Sequence, residues 1–308
     1  MRRTISITIF TPTYNRALLL KRLYASLLQQ TDSDFEWLVV DDGSTDNTAE
    51  LMKEIVSKNN RFIIRYIRQE NGGKHRAINQ GVRLASGSWF LILDSDDWLA
   101  DDAVAIIKGR TKEIENDRRF CGIAGLRVTP DRITVGTECD YTILDSDFFE
   151  YRYKYRIKGD RAEVVRTDIM REYPFPEFDG ERFLGEAIVW NSVSRKYITR
   201  FTDDKFYICE YQPGGLTDTF NKMMENNPLG AMLNQLSVTT HPKCKLSYWF
   251  LANLNYYHYR YIAKQKRAVI PKELQPTLLM DICSILNPLV NIAFKLYKTT
   301  RLLHFGLK

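Results

Sequence analysis

Residues 89–98 read Trp-Phe-Leu-Ile-Leu-Asp-Ser-Asp-Asp-Trp, an apolar run that stops abruptly at three carboxylates, Asp94, Asp96 and Asp97. Residues 89–93 have no polar side chain to show to water, which predicts a strand buried on both faces, as in a helix-covered parallel sheet. Open α/β sheets hold their ligands just beyond the carboxyl ends of their strands, where this acidic cluster falls. Three acids within four residues repel one another unless a cation or several hydrogen-bond donors offset the charge. A divalent metal bridging protein carboxylate and nucleotide phosphate meets that need. A plain helix cap by Asp96 or Asp97, ahead of a helix from residue 101, is the alternative.

The same grammar repeats upstream. Residues 5–10 are strand-like, and Leu18, Leu19, Leu23, Leu27 and Leu28 recur at the spacing of a helix over 16–30. A second strand at 35–40 precedes a helix at 48–58, and a third at 62–68 precedes a helix ending near 85. Such alternation predicts an α/β chain with a mostly parallel sheet flanked by helices and joined by right-handed crossovers. Every polar motif follows a strand, so all fall on one rim. Farther on, strands are expected at 121–128, 133–135 and 206–211 and a helix at 185–194. Pro174 and Pro176 mark an extended segment between them. Beyond 220 the pattern is mostly helical, dividing the chain into a sheet domain, 1–220, and a helical region, 221–308.

Composition narrows the class. At 44% hydrophobic and 27% charged the chain has ample core material. Cys121, Cys139, Cys209, Cys244 and Cys283 are scattered, without Cys-x-x-Cys spacing, which argues for reduced thiols in a cytoplasmic protein. The apolar run after Arg2 and Arg3 is too short for a signal peptide. A net charge of +6 suits an anionic ligand or a membrane surface. Nucleic acid is set aside, since only the aromatic and basic tract 148–156 speaks for it.

The rim motifs suit a nucleotide. Asp41 and Asp42 close the second strand, where a carboxylate can accept from a uracil imide or from ribose hydroxyls. Asp46 reads better as a helix cap. The turn Thr11, Pro12, Thr13, Tyr14, Asn15, Arg16 offers hydroxyl and backbone donors to a base, with Arg16 for phosphate. Gly72 and Gly73 lead into Lys74, His75 and Arg76, a glycine-rich turn with cations beside a diphosphate. It is not a P-loop, which disfavours ATP hydrolysis. His75 reads as structural.

Four of these motifs, in this order and spacing, resemble those of family 2 glycosyltransferases with the GT-A fold, of the bacterial surface-polysaccharide type. They are residues 11–16, 39–46, 71–73 and 93–97, and the likeness covers roughly the first 110 residues. It implies a Rossmann-like GT-A sheet with a helical C-terminal extension and a nucleotide-sugar donor, usually a UDP-sugar, with Mn²⁺ or Mg²⁺. It also implies Asp42 near the base, Asp94 near the ribose with Ser95 beside it, and Asp96 as the protein ligand to the metal. Such enzymes generally invert the anomeric centre and need a carboxylate base 80–100 residues after the acidic motif. The matching stretch here is 181–190, which places the base at Glu186, then Glu181, then Asp179. Where many members have two adjacent acids, this chain has Glu186 and Ala187. Asp97 and Trp190 are assigned to the acceptor side, with a core tryptophan as the alternative.

The carboxyl-terminal region crowds Tyr248, Trp249, Phe250, Tyr256, Tyr257, Tyr259 and Tyr261 onto one helix, followed by Lys264, Lys266 and Arg267. Residues 278–303 mix apolar and charged side chains around Pro288, so they do not span a bilayer. An aromatic and basic amphipathic pair suits the inner face of a cell membrane, or a second subunit in a homo-oligomer. Membrane contact fits a lipid-linked acceptor, and a glycan is the other acceptor class. The rival readings are a nucleotidyltransferase and a non-catalytic sugar-nucleotide binder or scaffold. The first wants a glycine-rich basic signature near strand one, and residues 11–16 supply only Arg16.

Overall fold

The computed structural model describes residues 5–58, 61–210 and 216–284. The chain divides into two compact units, Met1–Met223 and Met224–Lys308. The first is built on a sheet whose strands are β1 (Ile7–Thr13), β2 (Phe35–Asp41), β3 (Ile63–Arg68), β4 (Trp89–Ile92), β5 (Trp98–Leu99), β6 (Phe120–Val128), β7 (Ile143–Ser146), β8 (Arg161–Arg166), β9 (Ile198–Thr202) and β10 (Tyr207–Ile208). Their order is β3-β2-β1-β4-β8-β6-β10-β5, with β9 beside β6 and β7 beside β9. Strands β3, β2, β1 and β4 run parallel, joined by helices α1 (Ala17–Leu28), α2 (Thr48–Ser57) and α3 (Lys74–Leu84). Strand β8 enters antiparallel between β4 and β6. The mostly parallel α/β sheet read from the alternation is the fold observed.

Register puts the chemistry on one edge. Thr13 pairs with Asp41, which pairs with Arg68, so three parallel strands end level. Strand β4 stops two positions short of the Pro12 level, at Phe10↔Ile92. Pro12 therefore sits in a central strand where no ladder donor is lost to β4. Strands β1, β2 and β4 are buried along their whole length, as apolar runs between two helical layers should be. Helix α3 comes close enough for Gly81 to lie against Phe10, where an added Cβ would meet the ring at 2.2 Å.

After α4 (Ala103–Ile114) the sheet departs from the repeat. The predicted strand at 133–135 is only a bridge, Val128 to Thr134, and the predicted strand at 206–211 shortens to β10. Short helices α5 (Phe148–Tyr153), α6 (Thr167–Glu172) and α7 (Ala187–Val193) follow β7, β8 and an irregular segment. Residues 211–215, with Gly214 and Gly215, and the residues beyond 284 lie outside the described residues. Helix α8 (Leu216–Asn226) crosses the boundary between the units.

The second unit is helical: α9 (Pro228–Thr239), α10 (Leu246–Gln265), a single 3₁₀ turn and α11 (Leu278–Ser284). Pro228 opens α9, where its fixed φ and missing N–H cost nothing. Tyr256 is fully buried on α10 and donates to the Leu274 carbonyl at 2.6 Å, tying the 3₁₀ turn down. Among the described residues no helix is long and apolar enough to cross a membrane.

Candidate active site

The acidic turn after β4 is held on both sides. Strand β5 follows it and pairs with β10, bringing Tyr207 beneath the turn. The Asp94 N–H donates to the Tyr207 hydroxyl oxygen at 3.0 Å, and that hydroxyl donates to Asp97 Oδ2 at 2.7 Å. From α1, Arg22 lies over the Trp98 ring at 4.0 Å and donates to the Asp96 carbonyl at 2.6 Å. From β6, Arg127 stacks on Tyr207 and reaches Asp94 Oδ2 at 3.6 Å. Arg22, Arg127 and Tyr207 escaped the sequence reading because each arrives from a distant element. Only Arg127, a lone cation in an apolar strand, carried a local signal.

The three acids end in different states. Burial raises Asp94, but the Lys74 ammonium and the Arg127 guanidinium outweigh it and hold this carboxyl below the usual range. Asp97 is buried and pushed up, first by that burial and then by the charge of Asp94. Asp96 is raised by the same two causes. Among the described residues no lysine, arginine or hydroxyl donor reaches its carboxylate.

Asp42 is placed where the end of β2 meets the glycine loop. Its Oδ1 accepts from Gln69 Nε2 and the Gly72 N–H, both at 2.8 Å, and its Oδ2 accepts from the Gly73 N–H at 2.7 Å. A carboxylate has about four acceptor positions, so one remains for a ligand N–H. Beside it opens a cleft of about 500 Å³ lined by Gly43, Arg68, Gln69, Glu70 and Asn71. Asp41 departs from the expectation. It is fully buried, with Oδ1 taken by the Ser44 N–H and Oδ2 by the Tyr66 hydroxyl, so it builds the turn.

The first motif is partly structural too. The buried Thr11 hydroxyl accepts from the Trp37 indole at 3.0 Å, and Pro12 is buried in β1. Asn15, with φ of 54°, accepts from the Thr45 and Asp46 N–H groups. Asp46 accepts in turn from Ala17 and Thr48, knitting the two turns together. Tyr14 is 47% exposed, and Arg16 flanks the start of α1. The buried Thr13 hydroxyl has no partner among the described residues.

Helix α3 anchors the segment that carries the last carboxylate. The irregular segment after α6 is strapped across its amino-terminal half. Asn79 exchanges hydrogen bonds with the Phe175 backbone at 2.8 Å each way, and Arg76 donates to the Phe178 carbonyl at 3.1 Å. Gly73 lies so close that an added Cβ would be 2.0 Å from the Arg182 carbonyl oxygen, and its φ of 99° also demands glycine. The segment ends at Glu186, ahead of α7, where Lys74 Nζ meets Glu186 Oε1 at 2.8 Å and Asp94 Oδ1 at 2.6 Å. Lys74 stays charged because these two carboxylates outweigh its burial.

Arg76, expected beside a diphosphate, is engaged by the strap and by Glu177 at 3.7 Å. Trp190 is buried against Phe148 and, with Cys121 and Glu163, lines a cavity of about 10 Å³. Asp97 is buried, with Oδ2 accepting from the Tyr207 hydroxyl. Glu181 is buried and Asp179 exposed, while Ser95 is buried in the acidic turn. Glu186 is half-buried and is the acid that reaches the Asp94 side.

Among the described residues no three His, Cys, Asp or Glu side chains converge as a metal cage. The donor set fits a cation held another way. Mg²⁺-type ions are usually taken by one or two carboxylates and completed by substrate phosphates. Asp96, raised by burial and by the charge of Asp94, is a carboxylate that could serve in that way.

Residues 8–125 match the family model described as glycosyl transferase family 2. Glycosyltransferase GlyA of Streptococcus pneumoniae is 37% identical over 111 residues, which are 36% of this chain and 16% of that protein. The chain thus spans well under half of that relative. Among solved structures, S. aureus TarS 1-349 in complex with UDP-GlcNAc superposes with a TM-score of 0.58 at 17% identity, over 84% of this chain and 73% of that one. The mannosyltransferase PcManGT from Pyrobaculum calidifontis, in complex with GDP-Man and Mn²⁺, gives 0.56 at 17% identity, over 95% and 82%. At such identities the likeness is one of fold, GT-A in both cases.

Proposed function

We propose, from the premise that residues 8–125 are a family 2 glycosyltransferase domain, that this protein moves a sugar from a nucleotide-sugar to a hydroxyl. A UDP-sugar is the first choice of donor. The acceptor is a glycan or a lipid-linked sugar in cell-surface polysaccharide synthesis. The observation that carries the reading is that three separate segments bring Asp42, Asp94 with Asp96, and Glu186 to one sheet edge, where Lys74 joins Asp94 to Glu186.

The roles follow from chemistry. The spare acceptor position of Asp42 and the adjoining cleft receive the base, with the Thr13 hydroxyl and Arg16 close to the same rim. Asp94 takes the ribose side. Asp96 would hold Mn²⁺ or Mg²⁺, which would supply charge stabilisation for the leaving diphosphate. Glu186 is the base. The acceptor oxygen attacks the anomeric carbon opposite the diphosphate and gives its proton to Glu186. The bond from carbon to phosphate oxygen breaks and its electron pair leaves on the nucleoside diphosphate. Configuration inverts, and no sugar–enzyme bond forms.

Charge supports a peripheral membrane site. Residues 224–308 carry eleven Lys and Arg against three Asp and Glu, so the rest of the chain is slightly acidic. The same unit exposes Leu246, Phe250, Tyr261, Leu278 and Ile282. Apolar side chains in a basic setting suit an anionic bilayer.

The test is a panel of UDP- and GDP-sugars with Mn²⁺, scored by released nucleotide. The wild type is expected to release nucleotide from at least one donor, and Glu186→Gln to do so about 10²-fold more slowly or worse. No release by the wild type, or equal release by the variant, contradicts the reading or its base respectively.

A further inference from the structure

We infer that Lys74 is a positioning residue for the transfer, holding Glu186 in register with the donor side of the site rather than gripping the diphosphate. The inference rests on the glycosyltransferase reading and adds to it a residue that the base depends on. Three observations carry it. Lys74 Nζ lies 2.6 Å from Asp94 Oδ1 and 2.8 Å from Glu186 Oε1, so one ammonium is shared by the carboxylate on the donor side and the base. Its backbone is fixed at the start of α3 by the glycine turn that Asp42 clamps through the Gly72 and Gly73 N–H groups. The backbone of the segment bearing Glu186 is pressed against that same turn, at Gly73 and Arg182.

The physical consequence is directional. An ammonium has three donors and no acceptor, so it fixes Oε1 and leaves Oε2 to meet the acceptor hydroxyl. Without it, the Asp94 and Glu186 carboxylates would face each other at close range. Like charges there repel and turn one side chain away, and the base loses its aim. Asp42 acts on the base through the same chain of contacts, from glycine turn to lysine to glutamate. A base without this tether would have to be oriented anew in each turnover, and orientation is a large share of what enzymes supply.

The discriminating experiment uses full-length protein with the fastest donor of the nucleotide-sugar panel, water serving as acceptor, and compares wild type, Lys74→Arg and Lys74→Gln. UDP affinity with Mn²⁺, by titration calorimetry, is measured alongside as a check on fold and donor site. Lys74→Gln is expected to lower kcat 30-fold or more while UDP affinity and donor KM stay within about threefold. Lys74→Arg, which keeps the charge and can fork between two carboxylates, is expected to restore most of kcat. Loss of UDP affinity with kcat retained would make Lys74 a phosphate ligand and overturn the inference. Equal rates for the Arg and Gln variants would overturn it too. Should Lys74→Gln fail to fold, wild-type kcat in Lys74→Arg with unchanged UDP affinity supports the inference, and a 30-fold loss there counts against it. A wild type that turns over no donor removes the parent reading and this inference together.

Discussion

Two carboxylates that differ in their neighbours show how the site is tuned at the level of single side chains. Asp42 satisfies two backbone N–H groups and the Gln69 amide. Asp42→Ala should leave these donors unpaired and lower stability by about 1–3 kcal/mol per buried donor that water cannot reach. It should also loosen the turn that aims Lys74. Urea midpoints and UDP affinity check this, and loss of neither would mean the glycine turn holds itself. Glu163, on β8, is pushed up to about 7, first by burial and then by the charge of Glu186, against the pull of Arg127. The folded state thus binds this proton more tightly than the unfolded chain does, so the group costs stability as pH rises from about 4.5 through 7. Glu163→Gln should therefore be stabilised relative to wild type at pH 8 by more than at pH 5. A gap that is the same at both pH values would contradict the assignment.

Elements were legible to the extent that their signals are local. The four parallel strands and their helices announce themselves because strand, turn and helix periods repeat, and the observed bounds fall within a few residues of the predicted ones. Strands β5 and β7 do not, and β10 keeps only part of the strand expected at 206–211. Two of them are two residues long, and pairing with distant partners makes them strands. The strap before α7 was legible only as an extended segment around Pro174 and Pro176. Its grip on α3 depends on Asn79 and Arg76, which read as ordinary helix residues or as phosphate ligands. Glu36 is the sharpest omission. It sits fully buried in β2 and accepts from the Thr8 hydroxyl at 2.7 Å, the Ser86 N–H at 2.6 Å and Arg65 at 3.3 Å. It thereby joins β1, β2, β3 and the turn before β4. Removing one partner of such a buried charged network is costly, so Glu36→Ala should lose about 3 kcal/mol or more by chemical denaturation. A loss under about 1 kcal/mol would show that water replaces it.

At the scale of the whole molecule, the rim was legible and its division of labour was not. Sequence order placed every polar motif after a strand, and level strand ends turned that order into one edge. What it could not reveal is which acids bind a ligand and which build the edge. Asp41 and Asp97 look like Asp42, Asp94 and Asp96 on paper, and the Tyr66 and Tyr207 hydroxyls, from farther along the chain, set them apart. The split of charge between the two units is a separate prediction. Full-length protein should float with vesicles containing anionic lipid and not with neutral ones, and Lys264→Glu with Lys266→Glu and Arg267→Glu should weaken that binding in a salt-dependent way. Equal flotation on neutral vesicles would exclude charge as its cause. The convergence of acids on a cation-bound sugar nucleotide is tested by calorimetric titration of UDP into full-length protein, with Mn²⁺ and with EDTA, for wild type and Asp96→Ala. Wild type should bind UDP at least tenfold more tightly with Mn²⁺ than with EDTA, and Asp96→Ala should erase most of that difference. An affinity indifferent to Mn²⁺, or to the loss of Asp96, would contradict it.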